Sequence, residues 1–153
     1  MMMKTGFALI LALAAGGAAR AEEPLRWQLR QSAEGVVLAY EQPETDFQPI
    51  YLGCRLPERR FTVSLEQARG VRPGQTAAVD FASEAGRVTL RMRLEQMEMG
   101  DFLTAEMPFD PALGRVLGEG RSLRITVGQR TDTYPLTGTR QGVAALAAAC
   151  GPR

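Results

Sequence analysis

Gly86-Arg87-Val88-Thr89-Leu90-Arg91-Met92-Arg93-Leu94-Glu95 is the most regular stretch of the chain, and its reading decides the fold. Val88, Leu90, Met92 and Leu94 fall on one side of an extended strand; Arg87, Thr89, Arg91 and Arg93 fall on the other. Strand side chains alternate between faces with a period of two. The stretch therefore predicts an antiparallel strand with an apolar inner face and a solvated outer one. Past Glu95 the polarity inverts, because Met97 and Met99 share the parity of the arginines. A slip of one residue moves every side chain to the other face, so the inversion predicts a bulge, a bend or a strand end near Glu95-Gln96. Gly100-Asp101 is the expected turn into a strand running from Phe102 to Met107.

The same alternation recurs outward in both directions. Toward the N-terminus lie Leu25, Trp27 and Leu29, then Val36 to Glu41, then Ile50, Leu52 and Cys54, then Phe61, Val63 and Leu65, then Val79 and Phe81. Toward the C-terminus lie Leu123, Ile125 and Val127, and a last short run at Thr133-Tyr134. Turn-forming clusters separate them: Ala33-Glu34-Gly35, Pro43-Glu44-Thr45-Asp46, Arg72-Pro73-Gly74-Gln75 and Gly128-Gln129-Arg130. Short alternating runs between such clusters are the all-β pattern. Two helices interrupt it. Asp110 can cap a helix whose first position is Pro111, where the missing N–H costs nothing, and Gly118 is the expected stop. Val143, Leu146, Ala147 and Cys150 fall at i, i+3, i+4 and i+7, one face of a C-terminal helix that the flanking alanines favour. The expected fold is mainly β: a single antiparallel β-sandwich or partly open barrel of about eight strands, with one short helix between strands and a C-terminal helix.

The length of 153 residues allows one domain. Its first 21 residues read as a secretory signal peptide: Lys4 supplies the basic n-region, Gly6 to Ala19 the apolar run, and Ala19-Arg20-Ala21 the small-x-small cleavage site. The alternative, a membrane anchor, needs roughly 20 apolar residues, more than this run supplies. No cysteine follows the run, so a lipoprotein anchor is not indicated. The expected organisation is a signal peptide over 1–21 and a β-rich domain over 22–153, in a protein that is periplasmic or secreted and does not span the membrane after signal removal. Lys4 and Arg20 leave with the signal, so 18 basic residues become 16 against 17 acidic ones, a net charge of −1. A near-neutral chain argues against general nucleic-acid binding.

The chain has no histidine and two cysteines. A serine or cysteine nucleophile with an imidazole base, an imidazole-ligated zinc and a four-thiolate zinc are thereby excluded. Cys54 and Cys150 predict a disulfide, as expected of a cysteine pair in an exported chain. It would close a loop of about 97 residues, a constraint of roughly 4–5 kcal/mol in the chain-entropy picture. A redox-active pair is the alternative, and the spacing is not the Cys-x-x-Cys that lowers a thiol pKa.

From Pro111-Ala112-Leu113 through Gly120-Arg121-Ser122-Leu123, Tyr134-Pro135-Leu136-Thr137-Gly138 and Ala144-Ala145-Leu146 to Cys150, the chain resembles the C-terminal part of invasion-associated locus B proteins. Type VI secretion accessory proteins share a similar ending. Tyr40 to Cys54, with Pro43, Thr45-Asp46 and Cys54, resembles a group of uncharacterised secreted bacterial proteins. The resemblance covers about the last 45 residues plus that stretch. It implies an exported β-rich protein without enzymatic activity, and its pattern contains no catalytic residue to carry over.

Three constellations are candidates for chemistry. Arg87, Arg91 and Arg93 on one strand face could bind an anion such as a phosphate, an acidic polysaccharide or a lipid headgroup through charge-assisted hydrogen bonds. The bland alternative is a solvated outer face paired across the sheet with Asp or Glu. Met92, Met97, Met99 and Met107 offer soft thioethers that suit Cu(I), although methionine is also a core filler. Glu41, Glu44, Asp46, Asp80 and Glu84 could supply a carboxylate pair for an envelope hydrolase. The expected function is an exported non-enzymatic binding or interaction module recognising an envelope component or partner protein. A small-anion or polyanion binding protein stands second and the hydrolase third; no metal or cofactor is expected.

Overall fold

The computed structural model describes residues 23–66 and 70–153. The signal peptide read over 1–21 lies outside the described residues. The strands are β1 (Arg26–Ser32), β2 (Gly35–Glu41), β3 (Ile50–Arg55), β4 (Arg60–Glu66), β5 (Thr76–Ser83), β6 (Gly86–Met97), β7 (Gly100–Met107), β8 (Ser122–Val127) and β9 (Arg130–Pro135). Helix α1 (Pro111–Glu119) lies between β7 and β8, and α2 (Thr139–Cys150) follows β9. All nine strands belong to one antiparallel sheet, in the order β1-β2-β3-β4-β7-β6-β5-β8-β9. Of the two expected architectures the partly open barrel is therefore the one adopted, with nine strands in one sheet and no second sheet among the described residues.

The sheet curls into a half-barrel. Its two edge strands, β1 and β9, approach closely enough for the Trp27 indole N–H to donate to the Pro135 carbonyl at 2.6 Å. Tyr40 lies against Trp27 in a tilted pair with ring centroids 5.3 Å apart and meets Tyr134 edge-on at 5.6 Å. The aromatic trio closes the gap that backbone pairing leaves open.

The inner parity builds the core in cross-strand rows. Trp27, Tyr40, Ile50, Leu65, Leu103 and Leu94 are consecutive partners across β1, β2, β3, β4, β7 and β6. Such directly opposed pairs are the unit of sheet stabilisation. Both helices pack against this concave face and against each other. Asp110 caps α1 as expected, its side chain accepting the Ala112 N–H at 2.7 Å. The helix runs past Gly118 to Glu119, so the expected stop is displaced to Gly120. Gly118 has a packing role instead: a Cβ there would lie 3.3 Å from Val143 Cγ1, so the absence of a side chain lets α2 come close. Gly142 does the same against the sheet, where a Cβ would stand 2.5 Å from Leu38 Cδ1.

The C-terminal helix presents Val143, Leu146 and Cys150 to the core, as the periodicity predicts. Cys150 is bonded to Cys54 of β3, with Cα atoms 5.8 Å apart. Two further ties hold α2. The buried Thr139 hydroxyl lies 2.6 Å from the Leu117 carbonyl of α1. The Arg59 guanidinium donates to the Gly151 carbonyl just beyond the helix.

The polarity inversion in β6 has a different cause from a bulge. Pairing with β5 extends to Arg93, opposite Thr76, whereas pairing with β7 continues without interruption to Met97, opposite Gly100. Beyond Leu94 the β6–β7 hairpin overruns the body of the barrel, so neither face of its tip reaches the core and Gln96 is exposed despite its inner parity. Its turn is Glu98-Met99, and Gly100-Asp101 opens β7 rather than forming the turn.

Candidate functional site

The core consumes one face of the sheet, which leaves the convex face as the surface on which strand side chains meet solvent. Arg87, Arg91 and Arg93 all lie there, exposed, on β6. The topology decides what they meet. Because β5 lies between β6 and β8, the outer residues of these three strands, which are not consecutive in sequence, form common rows. In one row Ala82 is the direct partner of both Arg87 and Arg124. In the next, Asp80 faces Thr89 on one side and Thr126 on the other. In the third, Arg91 faces Ala78, and beyond it Arg93 stands between Thr76 and Thr104.

These neighbours separate the arginines into two kinds. Arg87 donates to Asp80 Oδ2 at 2.9 Å, the cross-sheet ion pair expected of an ordinary solvated face. Asp80 also accepts from the Thr89 hydroxyl. Arg91 is paired with Ala78 on β5 and Arg93 with Thr76 and Thr104, and neither makes an ion pair among the described residues. The same holds for Arg124. At about 3.4 Å per residue, Arg87 and Arg91 are separated by about 13 Å along the strand. The three arginines read from the sequence are thus arranged along a line and do not converge on one small ion.

Arg87 converges instead with Arg124, a residue that sequence reasoning missed. Both line a depression of about 550 Å3 with Ala82, Gly86, Thr126 and Thr131. Each row position on neighbouring strands is about 4.8 Å from the next, so the two arginine Cα atoms stand about 9.5 Å apart across Ala82. The Thr126 and Thr131 hydroxyls are hydrogen-bonded to each other at 2.8 Å beside them.

The other candidates are dispersed. Met92 is fully buried in the core, Met107 packs at its edge, and Met97 and Met99 are exposed on the β6–β7 hairpin. The four thioethers are not gathered, and the described residues hold no group of three or more His, Cys, Asp or Glu placed to bind a metal ion. Met97 and Met99 help line a shallow apolar hollow of about 290 Å3 with Tyr51 and Phe102. Among the carboxylates, Glu41 accepts from Arg30 and Gln48, and Asp80 from Arg87 and Thr89. Glu84 accepts the Arg121 backbone N–H at 2.9 Å and the Ser122 N–H at 3.3 Å, bonds that hold its carboxyl below the usual range. A groove of about 790 Å3 opens between the helices, with Gly114, Gly118, Val143, Ala144 and Ala147 in its wall and Arg115 at the rim.

The assembled features define a class: a disulfide-stapled, curled antiparallel half-barrel with its helices on the concave face. No family model matches the chain, and no curated protein matches it. Among solved structures it is similar in fold to invasion associated protein B from Bartonella henselae, with a TM-score of 0.53 and 13% sequence identity over 84% of this chain and 96% of that one. The likeness extends well beyond the C-terminal segment in which the sequence resemblance was read, and it concerns the fold. No helix among the described residues is long and apolar enough to cross a membrane.

Proposed function

We propose that the chain is an exported, non-enzymatic binding module that recognises an anionic component of the bacterial envelope through the convex face of its sheet. The observation that carries this reading is the placement of Arg91, Arg93 and Arg124 on that face without acidic partners among the described residues, in a chain whose net charge after signal removal is −1. A sheet surface in a near-neutral chain ordinarily alternates charges across its strands. Here Arg91 and Arg93 stand without ion-pair partners about 7 Å apart on β6, with Arg124 two strands away on the same face, a spread suited to a polymeric or surface-arrayed anion. The leader-like residues 1–21 and the Cys54–Cys150 crosslink support a periplasmic or secreted site of action, since disulfides persist in oxidising compartments. The sequence resemblances to invasion-associated locus B and type VI secretion accessory proteins, together with the fold likeness to the Bartonella protein, accord with an envelope role.

The test is binding of polyphosphate to the disulfide-intact chain as a function of salt. The expected result is a binding constant that falls with rising salt, and a shallower slope in Arg91→Glu and Arg93→Glu, by about one unit for each phosphate that the variant no longer neutralises. If polyphosphate neither binds nor raises the melting temperature at low salt, the reading is wrong. The groove between α1 and α2 favours a second reading, in which a partner protein seats there. Ala144→Arg, at an exposed position of its wall, would then abolish the partner complex and leave polyphosphate binding intact.

A further inference from the structure

We propose that Arg87 and Arg124 form a discrete clamp for a phosphate group in its monoester or free form, seated over Ala82. The clamp rests on the reading of the convex face as the binding surface and adds to it a site of defined stoichiometry. Its geometry comes from the strand order. Ala82 of β5 is directly opposite Arg87 on β6 and directly opposite Arg124 on β8, so the backbone positions of the two arginines flank one alanine and their side chains leave the same face of the sheet to line one depression. Ala82 is the smallest side chain that keeps a Cβ, and the depression above it is bounded by both arginines.

Guanidinium groups recognise phosphate by paired, charge-assisted N–H donation. Two of them approaching from opposite sides require a ligand with acceptor oxygens on both sides. A tetrahedral phosphate supplies them; a carboxylate presents its two oxygens on one side. Asp80 is the acidic residue in contact with the clamp, and both of its oxygens are already engaged, one by Arg87 and one by Thr89. It fixes the orientation of Arg87 and leaves two cations against one anion. Arg124 has no ion-pair partner among the described residues, so its donors are available. The Thr126–Thr131 hydroxyl pair adds a further donor. One hydroxyl gives its proton to the other, and the second keeps a proton to offer. Ser83, whose hydroxyl is committed to the Val116 carbonyl at 2.8 Å, takes no part.

The experiment is titration of inorganic phosphate into the disulfide-intact chain at low ionic strength, followed by backbone amide shifts. In parallel, flotation is measured with vesicles containing phosphatidic acid and with purely zwitterionic vesicles. The expected result is saturable binding with shifts centred on Ala82, Arg87 and Arg124. Arg124→Gln should weaken it by about tenfold or more, as for loss of a charged hydrogen-bond partner. Ala82→Val, which fills the floor without altering charge, should weaken it comparably, whereas Arg55→Gln, at an exposed position of β3, should leave it within about twofold. Binding of phosphatidic acid vesicles with the same variant pattern assigns the clamp to a lipid phosphomonoester; binding of free phosphate alone assigns it to the soluble ion. Phosphate affinity unchanged in Arg124→Gln overturns the clamp. So does a chain that holds polyphosphate in a salt-dependent manner yet shows no phosphate shifts, an outcome that leaves the extended-face reading standing. A chain that binds neither removes both.

Discussion

Replacing Cys54 and Cys150 together by alanine is expected to cost a large share of the stability of this protein while leaving its native structure in place. Alanine is the clean perturbation. Both cysteines are buried, and serine would add a desolvation penalty of about 1–3 kcal/mol for each unsatisfied hydroxyl. The crosslink joins residues 96 apart in sequence. In the chain-entropy model such a loop restricts the unfolded ensemble by about 4–5 kcal/mol. The folded state has other means of holding α2. Thr139 ties its first turn to the Leu117 carbonyl, Arg59 holds the carbonyl of Gly151, and Gly142 lies against Leu38. The effect should therefore reside in the unfolded chain.

The size of the effect decides how it is seen. Unfolding entropy is about 2.1 cal/mol/K per residue, or about 0.28 kcal/mol/K for a chain of roughly 130 residues. A loss of 4–5 kcal/mol then lowers the melting temperature by about 15–18 °C. It also removes about a quarter or more of a typical total stability of about 5–15 kcal/mol. Urea unfolding at 25 °C should show the midpoint falling and the m-value rising, because the uncrosslinked unfolded chain exposes more surface. The amide spectrum of the folded variant should match the parent outside the immediate surroundings of residues 54 and 150. A stability loss under about 1 kcal/mol would refute the reasoning. So would early hydrogen exchange confined to α2 with the sheet melting unchanged, since that would make the crosslink a local clasp on one helix.

Gly142→Ala and Gly118→Ala make a matched pair in which the same substitution gives different outcomes. Each gains about 1 kcal/mol of helix propensity. At 142 the new Cβ meets the buried Leu38 side chain at 2.5–3.0 Å, and overpacking of about 1–3 kcal/mol outweighs the gain; at 118 the nearest approach is 3.3 Å, so Val143 must shift slightly and the gain is only partly offset. Urea midpoints should fall clearly for the first and change much less for the second, and equal falls would contradict the packing assigned to the two sites. Glu84 supplies a pH test. Its carboxyl is depressed chiefly by the Arg121 backbone N–H, then by its own backbone N–H and that of Ser122. A depressed carboxyl stabilises the fold above its unfolded value of 4.5 and loses that contribution as pH falls through its folded value. The stability difference between the parent and Glu84→Gln should be level at neutral pH and shrink below about pH 4.5; a difference that persists undiminished into strong acid would exclude the assignment.

The readable parts of the fold were those written in local pattern. The alternation from Val88 to Leu94, the Asp110-Pro111 helix start, the stripe from Val143 to Cys150 and the cysteine pair each depend on residues close in sequence or on a count of two. The parts that escaped depend on distant neighbours. Gly118 reads as a stop signal because glycine often ends helices, yet its role is to admit Val143, which lies 25 positions further on. The inversion after Glu95 leaves a bulge, a bend and a strand end open, and only the ladder partners decide: the β6–β7 pairing continues past the point where pairing with β5 ends. Arg124 was invisible as a partner of Arg87 because the two share a row only through β5, and the order β6-β5-β8 cannot be taken from either strand alone. The sequence signal that could have singled it out is modest: Arg124 alternates against Leu123 and Ile125 as Arg91 does against Leu90 and Met92.

The two faces of the sheet also differ in what a substitution can reveal. On the concave side the inner residues are held between partners on flanking strands and beneath the helices, so a change there alters stability before it alters anything else. On the convex side Arg91, Arg93 and Arg124 are exposed and face alanines and threonines, and they contribute nothing to the core. Arg91 and Arg93 are spaced about 7 Å apart along one strand face. In bulk water two like charges at that distance repel by about 0.6 kcal/mol, so their joint presence is at best neutral for the fold. Such a face adds nothing to the folding free energy, as the proposed recognition of an external anion requires. Substitutions at these positions can therefore separate recognition from folding: they should alter binding with the melting temperature unchanged or slightly raised. If instead the neutral variants at Arg91 and Arg93 unfold several degrees earlier than the parent, the arginines serve the fold, and the convex face loses its claim to be the recognition surface.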